Sequence, residues 1–173
     1  MNQKQKAINC IIKAMRKQSK AIGCMIEFTE DNEVILSDTY AFIIAPLHEL
    51  SSKDKERINK LYKNDIFNKK EVIHRIKNSE YTHKFKFLMQ FLDDKFLSKK
   101  YTIKLTEKFI YDDKIVYYDG DNVALTVSTI YKDLLHYPTT YDNIPMRYNL
   151  ALSNIDNITC GVLPLLIEEK KGR

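Results

Sequence analysis

The sequence predicts an α+β fold: a helix-plus-antiparallel-strands unit used twice, with a helical insertion between the copies. Three observations predict it. Near the start, apolar residues recur at helical spacing and are followed by strand-length apolar runs separated by short polar turns. From Tyr101 the period changes to that of strands, broken by one short helical stretch. The proline-bearing apolar run EVILSDTYAFIIAP (33–46) has a counterpart near the other end, CGVLPLLIEE (160–169).

Residues 4–20 carry Ile8, Ile11, Ile12 and Met15 at i, i+3, i+4 and i+7, the stripe of a helix that buries one side. Lys6, Lys13, Arg16, Lys17 and Lys20 fall on another side of the same helix. Strands are expected at 23–29 and 34–36, joined by the turn formers Glu30-Asp31-Asn32, and at 40–45, where Pro46 ends the run. Residues 51–63 read as a helix with Ser52 as cap, 71–77 as a short helix and 81–97 as a third. The later strands are expected at 102–108, 114–118, 122–127, 144–152 and 158–168. Asp119-Gly120-Asp121 is a hairpin turn, because Gly tolerates the positive φ a tight turn needs. Residues 129–137 read as a short helix capped by Ser128 or Thr129, with Pro138 just past its end. With four Gly and four Pro in 173 residues no flexible linker is visible, so residues 1–173 read as one domain, with 47–100 a mainly helical, basic insertion.

The bulk numbers narrow the classes. The net charge of +5 permits an anionic partner without demanding one. The bias is local: residues 46–100 hold 14 Lys/Arg against 8 Asp/Glu, a surplus of 6. A solvated helical surface and an anion-facing one both explain that surplus. Cys10, Cys24 and Cys160 are odd in number and far apart, which fits neither a disulfide framework nor a zinc site and suits a reducing, cytoplasmic compartment. No secretory signal is read at the start, and no apolar run is long enough to span a membrane.

Two stretches resemble a single domain of the DNA sliding-clamp family, the ring-shaped processivity factors of DNA polymerases. In LSDTYAFIIAP (36–46), Asp38 and Tyr40 match an Asp-Gly-aromatic-Arg turn that leads into an apolar strand; Thr39 stands for the Gly and Ala41 for the Arg. TIYKDLLHY (129–137) is similar to the short helix that opens the family's last half-domain. CGVLPLLIEE is similar to its terminal strand, with Pro164 matching, Leu163 and Leu165 conservative, and Leu166 in place of an Arg. The likeness covers residues 4–46 and about 115–169; residues 47–100 do not fit it. It implies a non-catalytic DNA-replication accessory protein of phage or mobile-element type that binds duplex DNA, a replication protein, or further copies of itself. Lys6, Lys13, Arg16, Lys17 and Lys20 would then contact phosphate, and Leu163, Pro164 and Leu165 would dock a partner. The missing Arg equivalents at Ala41 and Leu166 bear on DNA contact and partner docking respectively.

Enzymatic readings have less support. The four His stand outside metal-ligand spacing, no nucleophile elbow exists, and four Gly leave no phosphate loop. No cofactor, metal or small-molecule substrate is expected. Asp112-Asp113 and Asp119/Asp121 hint at a cation, but the rest of a calcium loop is absent and Asp is common in hairpin turns, which is the better reading. Two rivals remain: a nucleic-acid-binding regulator using basic helices in residues 51–77 in helix-turn-helix fashion, and an interaction protein that binds a host factor.

Overall fold

The computed structural model describes residues 1–19, 23–69, 73–76, 107–135, 140–143 and 149–165. Helix α1 (Gln3–Gln18) opens the chain; the Asn2 side chain accepts from the Gln5 N–H and caps it. Strands β1 (Cys24–Phe28), β2 (Glu33–Ser37) and β3 (Ala41–Pro46) follow as an antiparallel meander. A 3-10 turn (Leu47–Glu49) leads into α2 (Ser52–Tyr62) and the single turn α3 (Ile66–Lys69). Then come β4 (Ile73–Ile76), β5 (Glu107–Tyr111), β6 (Lys114–Asp119), β7 (Asn122–Ser128), a 3-10 turn (Thr129–Tyr131), β8 (Thr140–Asn143), β9 (Asn149–Ile155) and β10 (Ile158–Val162).

Seven strands form one sheet in the order β4-β1-β2-β3-β10-β9-β8, and every neighbouring pair is antiparallel. The two apolar runs at either end of the sequence are therefore adjacent: β3 pairs with β10, Cys160 opposite Ile43 and Val162 opposite Ala41. Strands β5-β6-β7 make a second, three-stranded antiparallel sheet. The architecture is α+β, as the sequence predicts.

One core unites these parts. Ile8, Ile11, Ile12 and Met15 of α1 lie buried against Ile26, Leu36, Ile43 and Cys160 of the large sheet and join Tyr117 and Val127 of the small one. Burying each aliphatic side chain of that size contributes roughly 1.5–3 kcal/mol before entropy. Helix α2 adds Ile58 to the core and lies against α1, stitched by Gln5 donating to Asp54 at 3.3 Å and Arg57 donating to Asn9 at 2.9 Å. Its N-terminus is a full capping box between Ser51 and Asp54, so the cap is Ser51 and not the expected Ser52. On the other face of the large sheet, Phe42 lies over Gly161, directly opposite it in the β3–β10 register.

Two expectations are corrected, and the hairpin-turn reading of Asp112-Asp113 holds. Residues 73–76, read as part of a helix, form strand β4, which pairs with β1 through Cys24 opposite Ile76; Ile73 and Ile76 are β-branched, and cross-strand pairing outweighs a weak helical period. Of the 129–137 stretch, the described residues 129–135 do not make an α-helix: Thr129–Tyr131 is one 3-10 turn, followed by irregular turns to Leu134. Asp112-Asp113 is the two-residue connection of the β5–β6 hairpin, closed by Tyr111 opposite Lys114, with Asp112 at φ 57°. The 81–97 helix and His74, His83 and His136 side chains lie outside the described residues.

A Cβ at Gly161 would run into Cε1 and Cζ of Phe42. We expect Gly161→Ala to cost about 1–3 kcal/mol by overpacking. Urea unfolding would measure it, and pairing it with Phe42→Leu should recover part of the loss; equal costs in both backgrounds would contradict the contact.

Candidate nucleic-acid interface and the turn behind it

The first 26 residues contain no Asp or Glu, so every cation on α1 must find its counter-charge elsewhere. Lys4 does: its Nζ lies 3.0 Å from Glu49 and 3.9 Å from Asp156. Glu49 also accepts from Asn157 at 3.0 Å; that bond first, and Lys4 second, hold its carboxyl below the usual range. Lys6, Lys13, Arg16 and Lys17 are all exposed, and none takes part in an ion pair among the described residues. At 100° per residue, Lys6, Lys13 and Lys17 fall within about 40° of one another, and they span about 16 Å along the axis. Lys6, Lys13 and Lys17 thus share one exposed helix face, with the exposed Arg16 about 60–100° round the helix from them; Lys20 lies outside the described residues.

Helix α2 differs. Lys60 pairs with Glu56 at 3.6 Å, and Arg57 is engaged by Asn9 and by Asp54. Lys55 lies 5.9 Å from the centre of the Phe67 ring, itself edge-on to Phe28. Lys55, Arg57 and Lys60 of α2 are therefore each engaged by a neighbour.

Behind α1 sits the Ser37–Tyr40 turn. Asp38 is wholly buried. Its Oδ1 accepts from the backbone N–H groups of Tyr40 (3.0 Å) and Ala41 (2.8 Å), and its Oδ2 accepts from the Tyr131 hydroxyl at 2.6 Å. The last bond ties the 3-10 turn of the second half to the β2–β3 turn of the first. The same 3-10 turn reaches α1 directly, because the Cys10 thiol donates to the Ile130 carbonyl at 3.1 Å. Burial pushes the Asp38 carboxyl above its ordinary range, and the three donors only partly offset that. Burial also pushes the thiols of Cys10, Cys24 and Cys160 up to about 12, so all three stay protonated and inert at neutral pH.

Thr39 completes the turn at φ 85°, a conformation that a β-branched residue rarely adopts and glycine accepts freely. It is fully buried, and its hydroxyl finds no hydrogen-bond partner. Sequence reasoning singled out Asp38 by its motif but missed Tyr131, 93 residues away; a tyrosine in an apolar stretch carries no local sign of its acceptor.

The proposed docking residues are placed as follows. Leu163 and Pro164 are half-buried and Leu165 is 40% exposed. The Leu163 N–H donates to the Tyr40 carbonyl and the Leu165 N–H to the Thr126 carbonyl, so this segment bridges the two sheets. Among the described residues no helix is long and apolar enough to cross a membrane. Comparison with protein-family models, curated proteins and solved structures finds no match.

Tyr131→Phe should lower stability by about 1.5–3 kcal/mol, the worth of a hydrogen bond to a buried charged group, as read from denaturant midpoints. The pH dependence of Asp38 has a definite sign. Its folded pKa is raised, so its contribution is complete below the unfolded value and is lost as pH rises through the folded one. Relative to Asp38→Asn, the wild type should therefore gain stability as pH falls from about 7 to about 4; a parallel pair of stability curves would contradict this.

Proposed function

We propose that this chain is a non-catalytic accessory protein of DNA replication, of the sliding-clamp kind and from a phage or mobile element, that works in the cytoplasm by laying α1 along the backbone of duplex DNA. The observation that carries the proposal is the stripe Lys6, Lys13, Arg16 and Lys17: exposed, unpaired among the described residues, and on a helix without a single acid. Such a face contacts phosphates and positions the protein without reading bases. The replication part of the reading rests on the likeness at 36–46. Position 39, where the family's motif has Gly, holds a positive φ of 85° that glycine accepts freely, and Asp38 caps the turn from within. Ala41, at the family's Arg position, is buried in the core, so contact with DNA falls to α1.

The helix-turn-helix alternative is weaker on this fold. Its second helix would need residues 71–77, of which 73–76 form β4, and α3 is a single turn.

The test is fluorescence anisotropy of a labelled duplex titrated with the protein over a range of salt. Four phosphate contacts at about 0.9 counterions each predict a log–log salt slope of about −3.6. Combining Lys13→Glu, Arg16→Glu and Lys17→Glu should weaken binding at least about tenfold and flatten the slope by about 3. Absence of binding at low salt, or a slope unmoved by the triple change, would remove α1 as the contact.

A further inference from the structure

The three-stranded sheet ends in β5, and β5 carries three consecutive exposed apolar residues: Phe109, Ile110 and Tyr111, each about 60% exposed. They lie on both faces of the strand. Ile110 stands opposite Ile115, which faces Val127; both of those are buried in the core, so Ile110 continues a core row out to the edge. Phe109 stands opposite Val116, which faces Thr126, in a row on the outer face. Among the described strands, β5 has β6 on one side and no neighbour on the other.

The hairpin fixes which backbone groups are open. Across a two-residue connection the closing pair, Tyr111 with Lys114, exchanges hydrogen bonds, and the pattern then alternates along the strand. Phe109 and Glu107 therefore turn their backbone groups inward to β6, while Lys108 and Ile110 turn theirs out to the open edge.

We propose that this edge is the interface of a two-fold homodimer in which β5 pairs antiparallel with β5 of a second copy, centred on Phe109. That register overlaps all five residues of the strand. It sets Lys108 opposite the partner copy's Ile110 and the reverse, so the outward-turned groups of both strands bond each other. It sets Phe109 against its own symmetry mate in the closer, non-hydrogen-bonded pair, where aromatic side chains gain most. A second copy fits this edge better than an unrelated strand, because the two-fold pairing covers apolar residues on both faces at once with the same residues. The area agrees. Side chains of this size bury about 150–250 Å² each; covering the three removes roughly 350 Å² per copy. The paired backbone and flanks bring the total to about 1,000 Å², the lower bound for a specific interface. An interface at that lower bound makes the dimer a reversible one. Two-fold pairing closes on itself, consuming both edges. The inference is independent of the nucleic-acid reading, since it uses no residue of α1.

The test is sedimentation velocity on the full chain from about 1 to about 200 µM. The wild type should pass from monomer to dimer. Phe109→Lys and Ile110→Lys should each raise the dissociation constant at least about tenfold, while Glu30→Lys, in the exposed turn between β1 and β2, leaves it unchanged. A strictly monomeric wild type, an open-ended series of larger species, or a dimer indifferent to both β5 changes would overturn the proposal. Phe109→Cys supplies a second readout should a lysine variant misfold. The two introduced thiols would face each other with Cα atoms about 4.5 Å apart, within disulfide reach. Oxidised glutathione should then convert the variant to a covalent dimer, releasing reduced glutathione. A variant that stays uncrosslinked while dimer-competent wild type is present at the same concentration would also sink the pairing.

Discussion

A carboxylate without water is the constraint on which this fold turns. Asp38 is fully buried, and a bare charge there would be prohibitive. Three donors make it tolerable: two come from its own turn, and the third, the Tyr131 hydroxyl, comes from the other half of the chain. The halves are thus obliged to meet at one point. Once the Tyr131 turn is seated on Asp38, its Ile130 carbonyl is in reach of Cys10, and α1 is fixed against both.

The same meeting point orders the sheet. The Asp38 turn launches β3, and β3 finds β10 as its partner. Beyond β10 the chain keeps bonding, first to Tyr40 beside Asp38 and then to Thr126 of the small sheet. This turn therefore bonds the Tyr131 turn and the closing segment directly, and through them is linked to α1 and to the small sheet. Thr39 at φ 85°, with a buried hydroxyl lacking a partner, is the local cost of packing that turn so tightly. A glycine would accept the backbone but would leave the core without a side chain at a site where none is exposed to water.

What could be read from the sequence was whatever depends on neighbours along the chain. Helix α1 declared itself because four apolar residues at helical spacing bury one stripe, and β1–β3 because polar turns punctuate apolar runs. The hairpin at Gly120 was legible because φ 61° there suits glycine. What could not be read depends on contacts across the fold. Strand β4 exists because β1 offers it an edge, not because its four residues insist on extension. The 129–137 stretch has helical spacing, but Thr129–Tyr131 is held as a 3-10 turn by bonds from Thr129 to Asp113 and from Tyr131 to Asp38. For the candidate site, the cations on α1 were legible as a periodic stripe, whereas the buried brace behind them was legible only in its Asp38 half.

Charge pattern then separates α1 from the more basic middle of the chain. Cations near a helix C-terminus are stabilised by its dipole, by about 0.3–1 kcal/mol each. That explains Arg16 and Lys17, in the last turn of α1, without invoking any partner. It does not explain Lys6, near the end where the dipole disfavours a cation, or Lys13, which gains nothing mid-helix. Lys13 and Lys17 moreover repel at i, i+4, at a cost of about 0.2–0.5 kcal/mol. Helix α2 carries a like pair too, Lys53 and Arg57, but has acids to offset it: Asp54 lies a turn before Arg57 and Glu56 a turn before Lys60. Two unrewarded cations and a repulsive pair on the exposed side of a helix, with no acid to relieve them, are a local electrostatic cost, and it is this cost that the proposed contact with phosphate would offset.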